Sequence, residues 1–236
     1  MKKCYVVGAG EMHGDLNPCE EDLVIAADGG VAHLLSLGIT PDVIVGDFDS
    51  LSESVGIDLD IDSTLAVMGA DRDGVSYTAT KCKIGEKTVE IVKYPVEKDE
   101  TDAYLAYLIG VSRGYSEFAI YGGVGGREDH TFANLCLLLR IKNEKNNATL
   151  YGNGVKFFVL KDEKVKIYGQ SGATVSVFAL DGEARGVSIR GLKYEASSVR
   201  LETARPLGVS NSFLASGEGE IEVEDGALLV AIYFSE

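Results

Sequence analysis

The 236-residue chain has few basic residues, few cysteines and histidines, and no long apolar run, and each shortage removes a class of function. It carries 22 Lys and Arg against 37 Asp and Glu, a formal net charge of -15. Nucleic-acid backbones and anionic membrane surfaces need a cationic face, so neither is expected as the main partner. A phosphorylated small molecule held through a metal remains open. The four cysteines, Cys4, Cys19, Cys82 and Cys136, show no CxxC or CxxH spacing, so no zinc site or disulfide framework is expected. Cys4 and Cys136 lie in apolar runs and read as small core residues. No histidine or cysteine pairing offers a covalent nucleophile. No apolar run approaches the roughly 18 residues of a membrane span. The run after Met1-Lys2-Lys3 is also too short for a secretion signal, so a cytoplasmic protein is the default expectation.

What is present is organised around 41–50, Pro-Asp-Val-Ile-Val-Gly-Asp-Phe-Asp-Ser. Val43 to Asp47 reads as an apolar strand ending on a carboxylate, and Asp49 follows one residue beyond Phe48. In an open α/β sheet, ligands bind outside the carboxyl ends of the strands. Two acids so close repel unless a cation or proton lies between them. Mg²⁺ takes carboxylate oxygens and shares them with substrate phosphates. Asp47 and Asp49 are therefore candidates for a Mg²⁺–phosphate site. The plain alternative is an acidic turn.

Other segments supply parts of the same kind. A strand over 3–8 ends in Gly8-Ala9-Gly10, read as a glycine turn open to nucleotide contact. A strand over 22–27 ends in Asp28-Gly29-Gly30, and apolar residues at helical spacing follow up to Gly38. Asp58, Asp60 and Asp62 alternate with Leu59 and Ile61, as in a half-exposed strand or loop. Asp71-Arg72-Asp73-Gly74 reads as a turn, and 75–82 with 87–94 as a hairpin over Gly85-Glu86. Thr101 or Asp99 suits the N-cap of a helix over 103–112. Asp99 and Asp102 complement its dipole, or Asp102 joins the metal. A strand over 117–121 runs into Gly122-Gly123-Val124-Gly125-Gly126-Arg127-Glu128-Asp129-His130. Those glycines let backbone N–H groups approach an anion, Arg127 suits a phosphate, and a helix over 131–145 adds its N-terminal dipole. His130 alone says little.

After Asn146-Asn147 the helical pattern stops. Short alternating segments at 148–151, 156–160, 164–168, 174–179, 187–190, 220–223 and 228–233 are separated by turn residues such as Asp181-Gly182, which predicts an all-β sandwich or barrel. The expected organisation is an α/β N-terminal domain, 1–147, with a mostly parallel Rossmann-like sheet, and an all-β C-terminal sandwich domain, 148–236.

With these motifs placed, the chain resembles the thiamine pyrophosphokinase (thiamine diphosphokinase) family. The resemblance rests on Ala27-Asp28-Gly29-Gly30, the 41–50 stretch, Lys98-Asp99-x-Thr101-Asp102, and Gly125-Gly126-Arg127-x-Asp129-His130 with Asn134. Arg190-Gly191-Leu192-Lys193-Tyr194 and Gly208-Val209-Ser210-Asn211 add to it, so it spans nearly the whole chain. It implies diphosphoryl transfer from ATP to the hydroxyl of thiamine with release of AMP, Mg²⁺ as cofactor, and a homodimer with active sites at the subunit interface. It implies Asp47, Asp49 and Asp102 around the metal and phosphates, with Asp99 in the catalytic set. Asp28, Gly29, Gly30, Lys98, Thr101, Gly125, Gly126, Arg127, Asp129 and His130 fall on the nucleotide side, and Ser210 and Asn211 on the thiamine side.

Three departures stand out. Glu128 replaces a usual apolar residue, Ser212 replaces a common acid, and 64–88 reads as a hairpin insertion shielding the pocket. Diphosphoryl transfer fits these residues independently, because it needs alignment and charge neutralisation rather than covalent help. A cationic substrate also suits an acidic pocket. The alternatives are a DxD-type metal-dependent nucleotide-sugar transferase, a non-enzymatic Mg²⁺–nucleotide module, and a DxD phosphatase. The last normally carries its motif on the first strand, whereas here it falls on the third.

Overall fold

The computed structural model describes residues 2–46, 67–95 and 100–234. Asp47, Asp49, Lys98 and Asp99 lie outside these residues, as does the 58–62 acidic stretch. The backbone divides into two compact units, Met1–Asn134 and Leu135–Glu236. The division falls inside a helix, whereas the change of sequence pattern comes at 147–148.

In the first unit the elements are, in order, β1 (Cys4–Val7), β2 (Leu23–Ala27), α1 (Gly30–Ser36), β3 (Val43–Gly46), β4 (Val67–Ala70), β5 (Ser76–Ile84), β6 (Lys87–Lys93), α2 (Asp102–Ser112), β7 (Glu117–Tyr121) and the start of α3 (Glu128–Asn143). The strands run β7-β1-β2-β3-β6-β5-β4, parallel from β7 to β6 and antiparallel beyond. β1, β2 and β3 are buried at every residue, which explains their unbroken apolar runs, as expected of parallel strands covered on both faces. Each fully buried Ile or Leu, such as Ile25 or Ile120, contributes roughly 1.5–3 kcal/mol. The register pairs Val7 with both Ala26 and Tyr121, and Ala27 with Val45. The carboxyl ends of β7, β1, β2 and β3 therefore stop at one edge.

α2 begins at Thr101, whose hydroxyl accepts from the Tyr104 N–H at 3.3 Å. The helix is buried continuously from Tyr104 to Gly110 and packs on β1, β2 and β3. Gly110 permits the close approach, since a Cβ there would lie 2.5 Å from the Phe118 ring. Tyr107 fills the adjoining space edge-on to Phe118, with centroids 4.9 Å apart.

The structure refines or departs from expectation at three places up to the end of α3. The 64–88 stretch was predicted as an inserted hairpin shielding the pocket. The hairpin exists, but β6 pairs in parallel with β3 and so extends the main sheet. The last helix starts at Glu128 rather than 131, which puts Glu128 and Asp129 in its first turn. Cys136 is exposed rather than a core residue, because Leu137, Leu138 and Ile141 take the buried face of α3. Cys4 is buried as expected, and burial pushes its thiol up.

Beyond α3, the regular elements among the described residues of the second unit are strands: β8 (Asn147–Gly152), β9 (Val155–Lys161), β10 (Lys164–Tyr168), β11 (Thr174–Arg190), β12 (Ala196–Glu202), β13 (Gly208–Ser212), β14 (Glu218–Glu222) and β15 (Asp225–Tyr233). The predicted turn at Asp181-Gly182 is instead a kink within the 17-residue β11. Both residues have positive φ, 55° and 96°, and the register with β15 shifts between Leu180 and Arg185. Before the kink β11 pairs with β13 and β15; after it, with β12 and β14, and with β15 again at Arg185. Val175, Val177, Val187, Ile221 and Val230 are among the buried cluster of this unit. Among the described residues no helix is long and apolar enough to cross a membrane.

Candidate functional site

The carboxyl edge of the parallel strands opens on a cavity of about 570 Å³. Its floor is main chain. Gly8 N–H donates to the Tyr121 carbonyl at 2.8 Å and Gly10 N–H to the Gly122 carbonyl at 2.9 Å. These bonds zip the loop after β1 to the loop after β7. No side chain fits between them: a Cβ on Gly8, Gly10 or Gly122 would fall 2.8, 2.6 or 2.3 Å from a carbonyl oxygen of the opposite loop. His33 on α1 fixes the far end of the zip, its Nε2–H donating to the Gly10 carbonyl at 2.9 Å. Asn134, buried on α3, donates its amide to the Gly123 carbonyl at 2.8 Å and pins the glycine-rich loop.

Around this floor the structure brings together Asp28, Thr101, Asp102, Gly125, Gly126, Arg127 and His130, with Glu100 beside them. Asp28 follows β2 directly with φ 49°, a left-handed conformation that Asp tolerates better than most residues. Its N–H donates to the Val45 carbonyl at 2.8 Å, so the tips of β2 and β3 are joined just before Asp47. Gly29 and Gly30 serve packing. A Cβ on Gly30 would lie 1.8 Å from the Val7 carbonyl oxygen, so only glycine lets α1 start against β1.

Arg127 forks onto Asp129, Nε to Oδ1 at 3.1 Å and a terminal nitrogen to Oδ2 at 2.5 Å. That hydrogen-bonded guanidinium lowers the Asp129 carboxyl to about 2. A carboxylate with a depressed folded value stabilises above its ordinary pKa, and the contribution is lost as pH falls through the folded value. The pair therefore stays charged through neutral pH. Carboxyl-carbon NMR should find Asp129 titrating near 2, and Arg127→Ala should return it towards about 3.9. An ordinary value in the unmodified chain would show the fork is not formed in solution. Glu128 is exposed at the first helical position, so its departure from an apolar residue leaves no cavity.

In the second unit Ser210 lines a separate cavity of about 470 Å³ with Thr174, Ser176, Phe178 and Tyr233. Ser210 has φ 61°, and its N–H donates to the Ser176 hydroxyl at 3.1 Å. Asn211 is buried and spends its amide on the main chain. Its Oδ1 accepts from the N–H groups of Tyr194 and Ser212, both at 2.9 Å, and its Nδ2 donates to the Tyr194 carbonyl at 2.7 Å. Asn211 thus binds the Gly208–Ser212 strand to the Lys193-Tyr194 segment, joining the two sequence motifs of this unit.

The sequence reading did not single out His33, Glu100 or Asn134's role as a loop pin. For Asn134 a signal existed: it stands four residues after His130, on the same face of α3. Hard oxygen donors line the first cavity, which is the donor chemistry Mg²⁺ takes. Among the described residues no three acids, histidines or cysteines gather closely enough to hold a metal.

Fold and site define a protein of two units, the first presenting a phosphate-suited cavity at a sheet's carboxyl edge. Models of the thiamin pyrophosphokinase catalytic domain and of its vitamin B1 binding domain match residues 19–150 and 162–228. The chain belongs to the thiamin pyrophosphokinase family. It is 24% identical over 220 residues to the thiamine pyrophosphokinase of Bacillus subtilis (strain 168), covering 89% of this chain and 87% of that protein. The crystal structure of thiamine pyrophosphokinase from Bacillus subtilis shares the fold at a TM-score of 0.76 with 20% identity, covering both chains fully. That of Geobacillus thermodenitrificans thiamin pyrophosphokinase does so at 0.75 with 22% identity, covering 100% of this chain and 98% of its own. None of these likenesses favours a nucleotide-sugar transferase.

Proposed function

We propose that the chain is a thiamine diphosphokinase, transferring the diphosphoryl group of ATP to the hydroxyl of thiamine. The observation that carries this reading is the zipped glycine floor with Asp28, Asp102 and Arg127 around it, in a chain of this family. The glycine floor lets a ligand approach the main chain closely, the arginine suits phosphate oxygens, and the acids suit a bound cation. The thiamine hydroxyl oxygen attacks the β-phosphorus. The bond from that phosphorus to the α–β bridging oxygen breaks, AMP departs with the electron pair, and the hydroxyl proton passes to a carboxylate of the site. Mg²⁺ held by Asp47, Asp49 and Asp102 would supply charge neutralisation on the phosphates. Gly125, Gly126 and Arg127 hold the AMP side, so that only the β-phosphorus is presented.

The same reading makes 1–147 a Rossmann-like catalytic domain and 148–236 a sandwich that holds thiamine. Ser210 contacts the vitamin, and Asn211 acts through the segment it clamps. It also makes the protein a cytoplasmic homodimer with sites shared between subunits, as the sequence resemblance implies. Incubation with ATP, Mg²⁺ and thiamine tests it: thiamine diphosphate and AMP should appear in equal amounts. Formation of ADP in place of AMP, or no product, would sink it.

A further inference from the structure

The turn between β4 and β5 does more than reverse the chain. Asp71 closes it, its Oδ1 accepting from the N–H groups of Asp73 and Val75 at 3.0 and 2.9 Å. Main-chain bonds from Gly74 to Asp71 and from Asp71 to Val75, both 3.0 Å, complete the closure. Asx geometry of this kind stiffens a turn. Two contacts of this hairpin reach the edge that bears the cavity, a hydrogen bond from the turn and a ring contact from Tyr77 on β5. On one side, the Tyr104 hydroxyl donates to Asp73 Oδ2. Tyr104 belongs to the first turn of α2, two residues after Asp102, and its N–H is the one capped by Thr101. On the other side stands Tyr94, 1% exposed. Burial and then the neighbouring Asp71 carboxylate push its phenol up. The Tyr94 N–H donates to the Gly46 carbonyl at 3.2 Å, at the tip of β3 where the chain continues into Asp47. Tyr77 packs on the Tyr94 ring, with centroids 5.6 Å apart.

We infer that the 71–74 turn is a strut fixing the spacing between the start of α2 and the tip of β3, with Asp73 and Tyr104 as positioning residues for the phosphate site. The inference rests on the kinase reading, because those two elements carry Asp102 and lead into Asp47. A strut of this kind acts on alignment, not on substrate contact, and misalignment of about 1 Å costs up to about a hundredfold in rate.

The test uses the full chain with Tyr104→Phe, Asp73→Ala and the double variant, assayed with ATP, thiamine and varied Mg²⁺. Each single change should lower kcat about tenfold. The KM for thiamine should stay within about twofold, and half-activation should need several-fold more Mg²⁺. The double variant should be no worse than the worse single, since both remove one contact. Should Tyr104→Phe fail to fold, Asp73→Ala alone carries the test, because Asp73 lies on an exposed turn. Unchanged kcat and Mg²⁺ requirement, or losses that multiply in the double variant, would overturn the strut. If the unmodified chain shows no turnover, the kinase reading fails by itself. Calorimetric titration with Mg²⁺–ATP then reads the strut separately. Several-fold weaker binding by both single variants sustains it, and equal or absent binding overturns it.

Discussion

Asp102→Asn should lower kcat by about 10²–10³-fold, the loss typical when one charged or hydrogen-bonding group is withdrawn from a preorganised site. The substitution keeps the side chain's shape and removes its charge. Asp102 lines the cavity in the first turn of α2, so part of its role is to complement the helix dipole. That part is worth only about 0.3–1 kcal/mol of stability. Thermal unfolding and turnover therefore separate the two roles. A melting temperature within a few degrees of the original, with activity nearly gone, is the expected pair of results. Retained activity would remove Asp102 from the chemistry and leave it as a helix-start residue.

Gly30→Ala should be the most damaging single methyl group in the first unit. The added Cβ would meet the Val7 carbonyl oxygen at 1.8 Å and the Gly8 carbon at 3.1 Å. The obstacle is main chain on the central strand, so no rotamer change relieves it. Overpacking of a tight core costs about 1–3 kcal/mol, and a rigid backbone contact belongs at or beyond the upper end. In a marginally stable chain, that is enough to populate the unfolded state. Chemical denaturation should show a lower midpoint with an unchanged slope. A midpoint unaltered by the substitution would mean that α1 does not start against β1 in solution.

Local chemistry made much of this architecture legible. Unbroken apolar runs marked β1, β2 and β3, since strands covered on both faces need no alternation. Glycines after β1 and β7 marked the cavity's edge, and Thr101 marked the start of α2. Legibility ended where contacts cross long stretches of chain. Asp73 and Tyr104 are 31 residues apart, and nothing local in either pairs them. Asp181-Gly182 looked like a turn because turn residues also serve strand kinks. The main-chain partners of the Asn211 amide were not legible, because sequence shows an amide without its partners. The strand β12 escaped notice because most of its residues are exposed, leaving no apolar pattern to read.

The zip between Gly8, Gly10 and Gly122 also limits how this enzyme can be retuned. At these three positions of the cavity floor any side chain is excluded by a carbonyl opposite. Substitution can therefore break the floor but cannot grade it. An engineer seeking a different phosphate donor would have to work from the walls, at Glu100, Arg127 and His130. The floor would pass unchanged from one variant to the next, a constant against which each wall can be compared.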